Sequence, residues 1–298
     1  MLKIALPAGL ENNIHCEDCL IGMSRIPDQS IDICITDPPY FIDGMGDQWD
    51  KAKLDEKTKK AGVIKSMPVG MKFDPKQGLA FEAFMRKVAP EVYRVLKPGA
   101  FFVCFSQARL YHRLGVAVED SGFELRDMLG WTYSGQAKAF SLDHIIHKDG
   151  TLTDAEKTAR IAAIGGRKTP QLRPCIEPMV LAQKPKDGTF ADNWMAHGTG
   201  LVDTTASLDE KFPGNLMPVS KPGATEKGEG NEHLTVKPVI LIEHLLRLFS
   251  TEGQLMLDPF SGSGSHAIAA RNLGRRFVGF EKNPEYHAIS LQRLGGGK

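Results

Sequence analysis

The sequence predicts an α/β fold on a mostly parallel sheet, and three observations predict it. Short β-branched and aromatic runs alternate with amphipathic helical runs along residues 13–133, the pattern of strands joined by crossover helices. Ile31-Asp32-Ile33-Cys34-Ile35-Thr36 is an apolar run that stops at Asp37-Pro38-Pro39-Tyr40. It reads as a buried strand that two prolines, lacking N–H donors, bring to an end. Leu255-Met256-Leu257 passes through the turn Asp258-Pro259-Phe260-Ser261-Gly262-Ser263-Gly264 into a helix and then a second strand, Arg276 to Glu281.

Taken in order, Asn13 to Asp18 reads as a strand ending in acids, followed by a short helix from Cys19 to Arg25. The Asp37 strand comes next. Residues 43–78 are polar and rich in lysine, including Lys57, Lys59 and Lys60, with no sustained helical period. A long segment of this kind beside a site is expected to be a functional loop. In residues 79–96, Phe81, Phe84, Met85, Val88, Val92 and Val95 recur at helical spacing, and Lys97-Pro98-Gly99 ends the helix. Ala100 to Phe105 is a strand, 107–120 a helix and Glu124 to Thr132 a strand. Beyond Ser134 the alternation fails. Thr153-Asp154-Ala155-Glu156 is a capping box that opens a helix running to Gly165, and Glu177 to Gln183 is a further strand. Residues 238–249 form a helix with Val239, Leu241, Ile242, Leu245, Leu246 and Phe249 on its apolar side.

The chain has 298 residues, 42% hydrophobic and 24% charged, with a net charge of +1. It is long enough for a full core, and a nucleic-acid footprint has to be local. No signal peptide or membrane span is read from the sequence. Five cysteines, an odd number, point to a reducing cytoplasm. Cys16 and Cys19 have CxxC spacing with no second pair, so no metal site is expected.

Asp37-Pro38-Pro39-Tyr40 places a carboxylate, a proline carbonyl and an aromatic ring at one strand end. That grouping suits a planar NH₂ group, with Asp37 and the Pro38 carbonyl each accepting a hydrogen and Tyr40 stacking on the ring. Glu281, closing the strand after the glycine turn, is placed to take both hydroxyls of a ribose.

The tetrapeptide resembles the catalytic motif of the S-adenosylmethionine-dependent DNA amino-methyltransferases. Residues 258–264 resemble their cofactor motif, and Thr235-Val236-Lys237-Pro238 resembles the element ahead of it. The order of catalytic motif, recognition region and cofactor motif resembles the permuted beta class. The resemblance implies a Rossmann-like methyltransferase fold with a seven-stranded, mostly parallel sheet, its last strand antiparallel. It divides the chain into a catalytic half at 1–133, a target-recognition region at 134–232 with one sheet strand, and a cofactor half at 233–298. It implies catalytic roles for Asp37, Pro38, Pro39 and Tyr40. It also implies S-adenosylmethionine contacts from Asp18, Cys19, Asp37, Thr235, Lys237, Asp258, Phe260, Gly262, Gly264 and Glu281.

The implied substrate is double-stranded DNA, as in restriction–modification, with adenine N6 the expected atom because Asp begins the tetrapeptide. Cytosine N4 is the alternative, and an RNA or protein amide substrate a more distant one. Lys57, Lys59 and Lys60, and the one-signed run containing Arg160, Arg167, Lys168 and Arg173, are expected to meet phosphates. A homodimer is compatible with the sequence.

Overall fold

A computed structural model of the protein describes residues 5–40, 75–135, 139–206, 212–227 and 236–295. Lys57, Lys59, Lys60 and Thr235 lie outside these residues, as does most of the lysine-rich segment. Among the described residues no helix is long and apolar enough to cross a membrane.

The strands are β1 (Asn13–His15), β2 (Ile31–Thr36), β3 (Leu96–Phe105), β4 (Glu124–Thr132), β5 (Ile176–Gln183), β6 (Leu216–Pro218), β7 (Leu255–Asp258) and β8 (Arg276–Phe280). The helices are α1 (Cys19–Met23), α2 (Pro75–Val95), α3 (Tyr111–Glu119), α4 (Asp143–Lys148), α5 (Asp154–Ile164), α6 (Phe190–His197), α7 (Ala224–Lys227), α8 (Val239–Phe249), α9 (Ser265–Asn272) and α10 (Pro284–Gly295). The strands form one sheet in the order β1-β8-β7-β2-β3-β5-β4-β6.

The core divides by the alternation of side chains along the strands. Ile33, Ile35, Phe101, Val103 and Phe105 face α8 and α9, meeting Leu241, Leu245 and Ala269. Cys34, Phe102 and Cys104 face the other way, meeting Phe81, Met85 and Val92 of α2 and Leu114 of α3. Because both faces are covered, every residue of β2 is buried, which is why its sequence reads as a nearly unbroken apolar run.

The sheet has the single antiparallel strand expected and differs from the expectation in strand number. Among the described residues it has eight strands rather than seven, because the three residues of β6 add an edge strand parallel to β4. The antiparallel strand is β5, which sits between β3 and β4 and runs against both. Thr132 at the end of β4 pairs with Ile176 at the start of β5. The connection therefore leaves and returns at the same end of the sheet, and β5 must run back. Its first residues consequently lie beside the last residues of the parallel strands.

Three boundaries also shift. α2 begins at Pro75, taking the last residues of the expected loop into the helix. β1 stops at His15, and Asp18 instead caps α1, accepting from the Leu20 N–H at 2.9 Å. Lys97-Pro98-Gly99 falls within β3, where the register against β2 slips between Ile31 and Ile33. The capping box at Thr153 and the left-handed Gly165 bound α5 as the sequence predicts.

Candidate active site

β1, β8, β7, β2 and β3 are parallel, so Asp258, Thr36 and Phe105 end their strands on one sheet edge, and Glu281 and Asp37 directly follow theirs. In open α/β sheets this carboxyl edge is where ligands bind.

At the end of β2 the fold assembles a network of four polar side chains. The Tyr40 hydroxyl lies 2.5 Å from Asp37 Oδ1 and 2.9 Å from Glu177 Oε1. Lys237 Nζ pairs with Asp37 Oδ2 and lies 2.9 Å from Glu177 Oε1. It also stands 4.9 Å from the centre of the Phe105 ring. The Lys237 side chain is only 4% exposed. Burial opposes its charge, but the two carboxylates outweigh burial and hold its pKa above the usual lysine value. Burial, followed by the charges of Asp37 and Glu177, drives the Tyr40 hydroxyl well above the ordinary tyrosine value, so it remains a donor.

Tyr40 is 7% exposed and meets Phe81 edge-on at 6.4 Å. The side-chain amide of Gln77 donates to its carbonyl at 2.8 Å. Pro38 and Pro39 are buried and hold the chain in its exit from the strand. The stacking role expected of Tyr40 therefore requires more of its ring face to open.

The second part of the site is the turn after β7. Gly262 and Gly264 adopt left-handed backbone, with φ of 50° and 82°. A Cβ on Gly264 would come within 3.0 Å of Ser290 Cβ, so the turn needs glycine for both reasons. The Gly262 N–H donates to Glu281 Oε2 at 2.8 Å and the Asn283 N–H to Oε1 at 2.7 Å. Each Glu281 oxygen thus carries one backbone donor and retains capacity for another. Burial raises the Glu281 pKa above the usual carboxylate value. The Glu281 N–H in turn donates to His15 O at 2.9 Å, tying the end of β8 to β1.

Between the two parts, Asp258 is 1% exposed and accepts from Thr36 Oγ1 at 2.7 Å and from the Phe260 N–H at 3.2 Å. Its Oδ2 lies 3.1 Å from Nδ1 of buried His266. Phe260 is half-buried against Phe84, with ring centres 5.7 Å apart. Asp18 lies beside Lys282 at 3.6 Å, and neighbouring Cys19 is buried, which pushes its thiol up to about 12.

The structure thus brings Asp37, Tyr40 and Lys237 into direct contact, and ties Gly262 to Glu281. Lys237, expected beside the cofactor, contacts Asp37 and Glu177 through its ammonium. In the sequence Glu177 marks only the start of a strand. Arg160, Arg167, Lys168 and Arg173 are exposed on and after α5. The Arg167 guanidinium donates to the Ile164 carbonyl at 3.1 Å.

A family model described as DNA methylase, of the N6/N4 methyltransferase type, matches residues 31–292. The chain is 29% identical over 301 residues to the Type II methyltransferase M.HindIII of Haemophilus influenzae, covering 95% of this chain and 94% of that protein. It is 27% identical to the Type II methyltransferase M2.DpnII of Streptococcus pneumoniae, covering 91% and 85%. Among solved structures, the cytosine-N4-specific PvuII DNA methyltransferase superposes with a TM-score of 0.62 at 17% identity, covering 94% of this chain and 85% of that one. The putative DNA modification methylase TTHA0409 of Thermus thermophilus, complexed with S-adenosyl-L-methionine, gives 0.55 at 20% identity, covering 95% and 93%. At these identities the structural matches speak for the fold.

Proposed function

Because the chain belongs to the DNA methylase family, we propose that it moves a methyl group from S-adenosylmethionine to the exocyclic amine of a flipped adenine in duplex DNA. The observation that carries this reading is the placement of Asp37-Pro38-Pro39-Tyr40 on the same sheet edge as the glycine turn and Glu281.

The residues present fit the cofactor. Glu281 offers two oxygens, each already oriented by a backbone N–H, to a ribose diol. The turn at Gly262 and Gly264 lets a ligand approach the backbone. Asp18 and Cys19 follow β1, and Asp258 and Phe260 end β7 and open the turn, so in this reading they stand on the cofactor side of the site. When bound, S-adenosylmethionine supplies a methyl group on a sulfonium, already a good electrophile.

The acceptor is the harder half of the reaction. An exocyclic amine is a poor nucleophile because its lone pair is delocalised into the base. Asp37 and the Pro38 carbonyl hold its two hydrogens and turn the lone pair toward the methyl. Position and fixed dipoles then supply most of the acceleration. The amine is hidden in a duplex, so the base must leave the stack at a cost of a few kcal/mol. Stacking on Tyr40 would offset roughly 1–3 kcal/mol of it.

Residues 134–232 serve in this reading as the target-recognition region, and Arg160, Arg167, Lys168 and Arg173 meet the phosphate backbone. Lys57, Lys59 and Lys60 have the same role by charge alone. Adenine is favoured over cytosine because Asp37 opens the tetrapeptide. Digesting methylated duplex to nucleosides tests the base. N6-methyladenine is expected, and N4-methylcytosine without it would move the assignment to the cytosine enzymes.

A further inference from the structure

Asp37 has a difficult task in this site. It must accept a substrate N–H, yet it already faces two donors, the Lys237 ammonium and the Tyr40 hydroxyl. Each donor that binds a carboxylate oxygen withdraws electron density and weakens it toward the next. Glu177 faces the same two donors, at 2.9 Å from each. One hydroxyl proton cannot serve two carboxylates at once, and one ammonium charge is divided between two acids. Asp37 and Glu177 therefore compete for both.

We propose that Glu177 is a positioning residue for methyl transfer, drawing the Tyr40 proton and part of the Lys237 charge away from Asp37 so that Asp37 is free to accept the substrate amine. This rests on the amino-methyltransferase reading above and assigns a role to a residue outside the tetrapeptide. The topology makes it possible. β5 runs antiparallel, so its second residue lies at the catalytic edge, where the parallel strands place only their last. Two carboxylates against one ammonium also leave the ionised cluster with a net charge of about −1. That charge favours a substrate amine on which positive charge develops during transfer.

The test is the single-turnover rate of methyl transfer from labelled S-adenosylmethionine to duplex DNA. Glu177→Gln keeps the side-chain shape and removes the charge. It is expected to slow transfer by roughly tenfold or more while cofactor affinity stays within about twofold. Glu177→Asp should recover part of the loss. Tyr40→Phe removes a donor that Glu177→Gln sends back to Asp37. The double variant should therefore be faster than the product of the two single effects. A Glu177→Gln rate within about twofold of wild type would overturn the inference. So would losses that multiply in the double variant, or a rate loss matched by an equal loss of cofactor affinity. Wild-type protein that leaves duplex DNA unlabelled would overturn the functional reading and this inference together. Labelled DNA at equal rates would remove the inference alone.

Discussion

Thr36 donates its hydroxyl proton to Asp258 Oδ1 at 2.7 Å, across 222 positions of sequence. The bond joins the strand that ends in the tetrapeptide to the strand that opens the glycine turn. Both groups are buried, so each needs its partner. Thr36→Val keeps the shape and leaves Asp258 Oδ1, among the described residues, with the Phe260 N–H alone. We expect a loss of about 1–3 kcal/mol in unfolding free energy, read by denaturant titration. Cofactor affinity should weaken with it, because Asp258 fixes the start of the turn.

Asp37→Ala should lower methyl transfer by roughly 10²-fold or more, the scale for losing one preorganised polar contact to the reacting group. Calorimetric cofactor affinity should change far less. Turnover within a few-fold of wild type would take Asp37 out of the mechanism.

Glu281→Ala should raise the cofactor dissociation constant by roughly tenfold, as charge-assisted hydrogen bonds are worth about 1.5–3 kcal/mol each. The pH dependence has a definite sign. Burial raises the Glu281 pKa, and the ionised carboxylate is the better acceptor for ribose hydroxyls. Affinity should be full above that raised pKa and decline as pH falls through it. Glu281→Gln should lose this component of the pH dependence, and an unchanged profile would place the ribose elsewhere.

Lys237→Met should cost about 3–5 kcal/mol, the usual result of removing one partner from a buried ionic group. Asp37 and Glu177 would then share the site without their cation. The wild-type lysine has its folded pKa raised. Its stabilising contribution is complete below the unfolded lysine pKa and is lost as pH rises through the folded value. Wild-type stability should therefore decline in the alkaline range more steeply than that of the variant, as thermal unfolding at several pH values would show.

Replacing Arg160, Arg167, Lys168 and Arg173 with Gln should weaken DNA binding and flatten its salt dependence by about 0.9 logarithmic units per lost phosphate contact. Cofactor affinity should stay the same. A variant with the wild-type slope would leave this exposed run without a role in binding DNA.

Much of this site is legible in the sequence because its signals are local. β2 is buried on both faces and so reads as one apolar run, and the prolines mark where it stops. Gly262 and Gly264 announce a turn, and Glu281 follows at the end of the next strand. Glu177 is not legible in that way. It lies 137 positions from Tyr40, and only the reversed direction of β5 brings it to the catalytic edge. The same applies to Lys237, whose sequence neighbours point to the cofactor turn while its ammonium reaches Asp37, 200 positions away. β6 has three residues, too few to show a period. α6 is masked by a segment rich in Gly, Pro, Asn and Thr, although Thr189 and Asp192 form its capping box. Asp in place of the commoner Glu weakens that signal.

Where a labelled methyl group goes tests the proposed activity most directly. Duplex DNA is incubated with methyl-labelled S-adenosylmethionine and either wild-type protein or Asp37→Ala, then digested to nucleosides and separated. Label is expected in N6-methyladenine with wild type and almost none with Asp37→Ala. Label absent from DNA with wild type, or equal label with both proteins, would contradict this expectation.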